Sequence, residues 1–474
     1  MKAYDKQFIG GVWREGRGEG LLENVNPFSG ETLYSYRPAS REDVDDAYAS
    51  AKEAQKIWAD YSPSAKVAVL ERLLGIMREY RSVMDECLLL EAGCAKPKRD
   101  YEAGTSPDFV SYCMVFPKMM EGRIQSSDFP GQTNFVFRKP KGVVTVIAPW
   151  NVPFILALRS VIPAVAAGNA VVLKPSSETP ASAFIIGEMF EKAGFPKGLL
   201  NVVAGRGSDI GDYIVAHPLS DIVSFTGSTE VGRRIGRIAG ENIRDMSLEL
   251  GGNNSMLVLP DADIDAAVEA ALFGAYFHQG QICMSLNRIF VVGEENYGLF
   301  CKKMAGAVRS LKAGDPADEY VFIGPIINSQ QVEHINSLIS ATVEAGAKVL
   351  VEGKTEGNLV SPWLLCDVEN SMPAAREEVF GPVCSIIKAK TEDDALAMAN
   401  DTIYGLSNSI FTRDRYHGMM LAQKLESGMV HINDQSIGDE PHVMFGAEKQ
   451  SGVGRFNGSW VLNKFTTEQW IPVR

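Results

Sequence analysis

Apolar positions along the chain keep two different rhythms. In "EDVDDAYASAKEAQKIWADY" and "SAKVAVLERLLGIMREYRSVMDECLLLEAG" they recur every three or four residues, the spacing that lines one face of a helix. These stretches predict an α-helical N-terminal region. From residue 142 the rhythm shortens to "GVVTVIAP", "NAVVLKP", "LLNVVAG" and "DIVSFTG", with helical stretches such as "ASAFIIGEMFEKAGF" between them. Short β-branched runs that end at Gly or Pro and alternate with helices predict βαβ units and a buried parallel sheet. A second series follows "LELGG": the strand "NSMLVLPD", the helix "IDAAVEAALFGAYFHQG", the strand "NRIFVVGE", then "VCSIIKAK", "SNSIFT" and "GMVHIND". The pattern predicts two α/β domains in series, divided near Gly251. The tail "GSWVLNKFTTEQWIPVR" reads as extended, with no helix to cover it, and such an edge predicts a subunit contact.

Composition narrows the function classes. At 474 residues the chain exceeds what one hydrophobic core fills. A net charge of -13 argues against a nucleic-acid surface, although a small anion can still be held locally. No apolar run reaches the roughly 18 residues of a membrane span, and the first residues lack a secretory pattern. The seven cysteines are scattered, with no C-x-x-C pair and no Cys/His cluster at zinc spacing. Neither a disulfide framework nor a metal site is expected, and a reducing cytoplasm fits best.

Open parallel sheets bind ligands at the carboxyl ends of their strands, so the residues after each apolar run carry the candidate chemistry. Asn151 follows the first run, Lys174 ends the second, and "TGSTEVGRRIG" follows a third, with Gly227 and Gly232 bracketing a helix start. Exposed amides there would suit a pyrophosphate, but the spacing is not G-x-G-x-x-G and a plain Gly-capped turn is the simpler reading. Glu249 sits in an apolar strand beside two glycines, as either a functional or a salt-bridged core carboxylate. Glu378 and Phe380 fall in "REEVFGPV", where a loop glutamate is the simpler reading. Cys283, in "FHQGQICMSLNR", is either a small buried hydrophobe or a reactive thiol.

Taken together, "APWNVP", "VVLKPSSETP", "FTGSTEVGR", "LELGG", "GQIC", "EEVFGPV" and "SGVGR" resemble the aldehyde dehydrogenase superfamily, in order and over essentially the whole chain. The resemblance implies two doubly wound α/β domains with a small β oligomerisation element. Residues 1–120 and 141–251 would bind the dinucleotide, 252–447 would form the catalytic domain, and 121–140 with 448–474 would bridge subunits of a homodimer or homotetramer. It implies Cys283 as nucleophile, Asn151 and the Cys283 backbone N–H as oxyanion donors, and Glu249 as the base that hydrolyses a thioester to the free acid. A nucleophilic thiolate implies a hydrated, amide-rich turn around Cys283. The cofactor, NAD or NADP, would be held by Trp150, Lys174, Ser177, Gly227, Ser228, Gly232, Glu378 and Phe380. Ser177 stands where many NAD-preferring relatives carry glutamate, which implies tolerance of both cofactors.

Val152, Ile155, Arg159 and Tyr276 are the implied substrate pocket, with Arg159 near the water path. "HQGQICMSLNRI", "HINDQSIGDEPH" and the tail look most like the benzaldehyde, salicylaldehyde and vanillin dehydrogenase branch. Medium-chain aliphatic aldehydes or semialdehydes remain the alternative substrates. Three positions depart from that branch: Met444 and Ala447, expected to add bulk at the tunnel mouth, and Ser255, where many relatives have proline. Two other classes stay open, a non-catalytic dinucleotide-binding protein and a cysteine hydrolase with His278 as base.

Overall fold

The computed structural model describes residues 2–474. Five parallel strands form the centre of a first sheet: β1 (Val143–Ile147), β2 (Ala170–Lys174), β3 (Leu200–Val202), β4 (Ile222–Thr226) and β5 (Asp245–Glu249), in the order β3-β2-β1-β4-β5. The order reverses between β1 and β4, where neighbouring chain connections leave on opposite faces and open a crevice. All residues of β2 and β4 are buried, as their unbroken apolar runs require when helices cover both faces. The helices that matter for the site are α1 (Lys96–Cys113), α2 (Pro153–Ala166), which is buried along its whole length, and α3 (Thr229–Glu241).

A second sheet is built from β6 (Asn254–Val258), β7 (Leu286–Val292), β8 (Lys348–Val351), β9 (Trp363–Cys366), β10 (Val383–Ala389), β11 (Ser407–Phe411) and β12 (Met429–Ile432), ordered β8-β9-β10-β7-β6-β11-β12. Only β8 runs antiparallel to its neighbour. Separate apolar cores pack around each sheet, with Val144, Leu173 and Phe184 in the first and Leu257, Phe290 and Ile387 in the second. A third, three-stranded sheet joins Arg123–Gln125, Thr133–Pro140 and Thr466–Val473. Among the described residues, no helix is long and apolar enough to cross a membrane.

Three features differ from the pattern read along the chain. The N-terminal region starts with short strands, and Gln7–Ile9 pairs antiparallel with β3, extending the first sheet. Three residues are too few to show a period, and tertiary pairing decides their state. The long apolar stretch from residue 63 breaks at Tyr80 into two helices, Pro63–Glu79 and Arg81–Ala92. The tail is not wholly extended: Gly458–Lys464 is a helix whose Val461 and Leu462, with Phe465, enter the first core. At seven residues it is too short for its helical period to stand out from the strand formers around it.

Candidate active site

The loops after β1 and β4 and the end of β5 meet the turn before β7 and the loop before β10. Together they enclose a cavity of about 280 Å³ lined by Trp150, Asn151, Gly227, Ser228, Glu249, Cys283, Glu378 and Phe380. Leu156, Thr226, Gln331 and His334 also line it. These four carry no sequence signal of their own; only the fold brings them here. Among the described residues, Cys283 is the one of the seven cysteines that is only partly buried, which separates it from the other six.

The turn that presents Cys283 is held in an unusual shape. His278, Gln279 and Gly280 have φ of 52°, 56° and 72°, a left-handed run that costs energy at the two non-glycine residues and persists only when its surroundings fix it. The two glutamines beside Gly280 supply that fixation. Gln279 Nε2 donates to Pro325 O at 3.0 Å, and Gln281 Oε1 accepts from the Ile327 N–H at 3.0 Å. A side chain at residue 280 would collide with the Gly381 carbonyl. Asn254 Nδ2 then donates to both Cys283 O and Ser285 O at 2.8 Å, tying the turn to the start of β6.

These amides position the thiol at the cavity wall. Burial pushes the Cys283 thiol well above its ordinary range; the Glu249 carboxylate adds to the effect, Arg159 opposes it, and Glu378 adds again. Glu249, at the end of β5 and 1% exposed, is pushed up to about 7 by burial, against the pull of Arg159 and Cys283. Asn151 commits one side-chain N–H to Gln281 O at 2.9 Å, which orients the amide beside Cys283 and leaves its second N–H for a ligand.

Helix N-termini distinguish the three loops of the first sheet. Glu102, ion-paired with Lys98 on α1, accepts from Phe154 N at 2.7 Å and Ile155 N at 3.3 Å, so the start of α2 already holds a carboxylate. Glu91 fills the start of Pro180–Ala193 in the same way through Ala181 N. At α3 the cap is only the Ser228 hydroxyl, accepting from Val231 N at 3.3 Å, so the remaining positive end at the cavity wall suits an external anion. A dinucleotide pyrophosphate fits there. Gly227 lines the cavity, but its N–H donates to Glu249 O. Gly232 is corrected: its N–H is spent on Ser228 O within the helix, and a side chain would strike Leu250, so it is a packing glycine.

Other expected ligands lie at varying distance from the cavity. Lys174 ends β2 as a buried amine, lowered to about 8 by burial and donating to Pro175 O at 3.0 Å, with Ser177 half-buried in the turn that follows. Neither lines the Cys283 cavity. Glu378 accepts from Gly252 N at 2.9 Å and is pushed up to about 8 by burial. A side chain at Gly251 would displace it. Phe380, at φ 50°, meets Trp150 edge-on with ring centroids 5.6 Å apart.

On the substrate side, Val152 and Ile155 pack with Phe109 and Leu156 against Tyr101. A second cavity of about 540 Å³ opens there, lined by Tyr101, Phe109, Tyr112, Asp439 and His442 among others. Tyr276 is corrected: it is buried in the second sheet's core and its hydroxyl donates to Trp363 O at 2.8 Å. Ala447 is likewise core, its methyl against Gly452, and not at a tunnel mouth. Met444 is half-buried and lines neither cavity. Ser255 has a reason to be there: its N–H and hydroxyl both donate to Asn408 Oδ1, at 2.8 and 2.9 Å, and proline lacks both donors. His278 is buried outside the cavity wall, its imidazole held far below the ordinary range by burial, so it does not serve Cys283 as a base.

A family model described as the aldehyde dehydrogenase family matches residues 13–471. A vanillin dehydrogenase of Corynebacterium glutamicum is 44% identical over 472 residues, spanning 99% of this chain and 97% of that protein. A benzaldehyde dehydrogenase of Bacillus subtilis is also 44% identical, over 99% of this chain and 97% of its own. Among solved structures, an NAD-dependent benzaldehyde dehydrogenase from Corynebacterium glutamicum superposes with a TM-score of 0.91 at 41% identity, covering 99% of this chain and 98% of that one. An NADP-dependent enzyme from E. coli gives 0.96 at 32% identity, covering 99% and 98%.

Proposed function

The chain belongs to the aldehyde dehydrogenase family, and from that premise we propose that it oxidises an aromatic aldehyde to the free carboxylic acid with NAD or NADP. The observation that carries this reading is the meeting of its one accessible cysteine with Asn151 and Glu249 in a single cavity. Cys283 adds to the aldehyde carbonyl after giving up its proton to the Glu249 carboxylate, which shares the cavity and passes that proton to solvent before the second half-reaction. The free N–H of Asn151 and the Cys283 backbone N–H stabilise the resulting oxyanion, a contribution of roughly 3 kcal/mol per donor. A dinucleotide held by Trp150, Glu378 and Phe380 would supply the hydride acceptor for the substrate carbon. A thioester then remains on Cys283, and Glu249, with its affinity for a proton raised into the neutral range, draws one from the water that hydrolyses it.

The dinucleotide would lie along the ends of β2, β1 and β4, with its pyrophosphate at α3, Lys174 and Ser177 toward the adenosine ribose, and Glu378 and Phe380 toward the nicotinamide end. Close relatives named for vanillin and benzaldehyde, and the aromatic wall of Tyr101, Phe109 and Tyr112, support an aryl substrate over an aliphatic one. A panel of benzaldehyde, vanillin, salicylaldehyde and aliphatic aldehydes with each cofactor tests this. Aryl aldehydes are expected to have the highest kcat/KM; a lead for short aliphatic aldehydes overturns the substrate class and leaves the family intact.

Subunit assembly and location follow the same reading. Ile124, Phe137, Trp470 and Ile471 are exposed on the three-stranded sheet, and a second copy of the chain would cover them in a homodimer or homotetramer. The seven unpaired cysteines suit a reducing cytoplasm.

A further inference from the structure

Behind the cavity, one cation is shared by two carboxylates. The Arg159 guanidinium, 1% exposed on α2, lies with Nη2 3.8 Å from Glu249 Oε2 and Nη1 3.5 Å from Asp439 Oδ2. Both carboxylates are buried, so the three groups together carry one negative charge more than they neutralise, and a single proton closes the balance. The guanidinium also packs on the Phe445 and Phe456 rings, 4.3 and 4.9 Å from their centroids, which limits its movement toward either partner. Asp439 is held in turn by Asn457, whose Nδ2 donates to Oδ1 at 2.6 Å. Glu249 has no such amide: the Cys283 thiol faces it, no N–H donates to either of its oxygens, and Arg159 reaches it only beyond hydrogen-bond distance.

We propose that Asp439 is a positioning residue for the base: by holding Arg159, it prevents full neutralisation of Glu249 and keeps that carboxylate able to accept a proton. The proposal rests on Glu249 acting as the base of deacylation. A carboxylate clamped by an arginine alone becomes a weak base, since an opposite charge within about 4–6 Å lowers its pKa by roughly one to three units. A base is most effective when its proton affinity matches the working pH. The other charged or titratable groups facing the triad are Cys283 from the turn before β7, Glu378 across the cavity, Tyr101 from α1 and Glu440 beside Asp439. Of the groups named, only Arg159 is cationic. Burial raises Asp439 from its ordinary range while Arg159 and Asn457 hold it down.

The decisive measurement is the pH profile of deacylation, followed by intact mass as the acyl-Cys283 form decays. Asp439→Asn, which removes the competing negative charge, is expected to move the midpoint of the acid limb down by at least about half a unit. Arg159→Met is expected to move it up by roughly one unit, and Arg159→Lys, which keeps the charge, to restore most of the difference. Asp439→Ser gives the same sign as Asp439→Asn if the latter folds poorly. A purely structural role for Asp439 would slow the reaction at every pH without moving the midpoint, and an unmoved or raised midpoint in both Asp439 variants overturns the proposal. Glu249→Gln separates the two levels: acyl-enzyme that accumulates in this variant sustains Glu249 as the base whatever Asp439 does, and deacylation at the wild-type rate removes that base and the proposal with it.

Discussion

The two parallel sheets serve the site from opposite ends. In the first, Asn151, Gly227 and Ser228 follow their strands and Glu249 ends one, so the groups sit at carboxyl ends, where helix N-termini also point. In the second, Gly251 and Gly252 precede β6, Cys283 precedes β7, and Glu378 and Phe380 precede β10, so its contributions come from the amino ends. The first sheet offers dipoles and backbone donors suited to holding an anionic ligand. The second offers the Cys283 thiol on a turn held in a left-handed run. Facing the two edges against each other puts that thiol across one cavity from the start of α3 without placing both on one loop.

If that division is correct, substitutions on the two edges have different signatures. The largest effect is expected for Cys283→Ala, which should abolish oxidation, a loss of several orders of magnitude in turnover, while titration of reduced dinucleotide by fluorescence shows nearly unchanged affinity. Turnover above about one per cent would contradict a covalent mechanism. Asn151→Ala lies between the edges, since its amide also fixes the Cys283 turn through Gln281 O. It should lower the rate of the first turnover by roughly 10²- to 10³-fold with little change in dinucleotide binding; a change confined to KM would argue against an oxyanion donor. The smallest effect belongs wholly to the first sheet. Ser177→Glu should leave turnover with NAD intact and lower the NADP-to-NAD ratio of kcat/KM at least about tenfold, since about 1.4 kcal/mol of repulsion suffices. An unchanged ratio would place Ser177 away from the 2′ position.

The sheet comparison also explains which parts were legible along the chain. Both series of short apolar runs became parallel strands, because a strand buried on both faces needs an unbroken apolar run. Looking just past those runs found Asn151 and Gly227, since strand-end loops of one sheet share a location, whereas Glu249 stood out as a carboxylate inside an apolar strand. The same rule is blind to Cys283 and Glu378, which stand before their strands; their own windows left a structural reading open, and only the resemblance of "GQIC" and "EEVFGPV" to family patterns favoured the functional one. Tyr276, expected as apolar lining of the substrate pocket, turned out to be core, its hydroxyl donating to Trp363 O.

Sequence by itself determined the alternation of strands and helices and the two series of βαβ units, and it singled out Cys283, Glu249 and Asn151 as candidates that the fold then brings to one cavity. Those properties are local: they depend on side-chain chemistry and on whether a run is apolar on one face or two. Only the tertiary structure decided that Glu91 and Glu102 occupy two helix N-termini and leave α3 open, that Gly232 packs rather than binds, and that Arg159 is divided between Glu249 and Asp439. Arg159 and Asp439 stand 280 positions apart. Charge coupling falls off with distance through space and has no relation to separation along the chain, so no pattern of residues could have revealed that pairing.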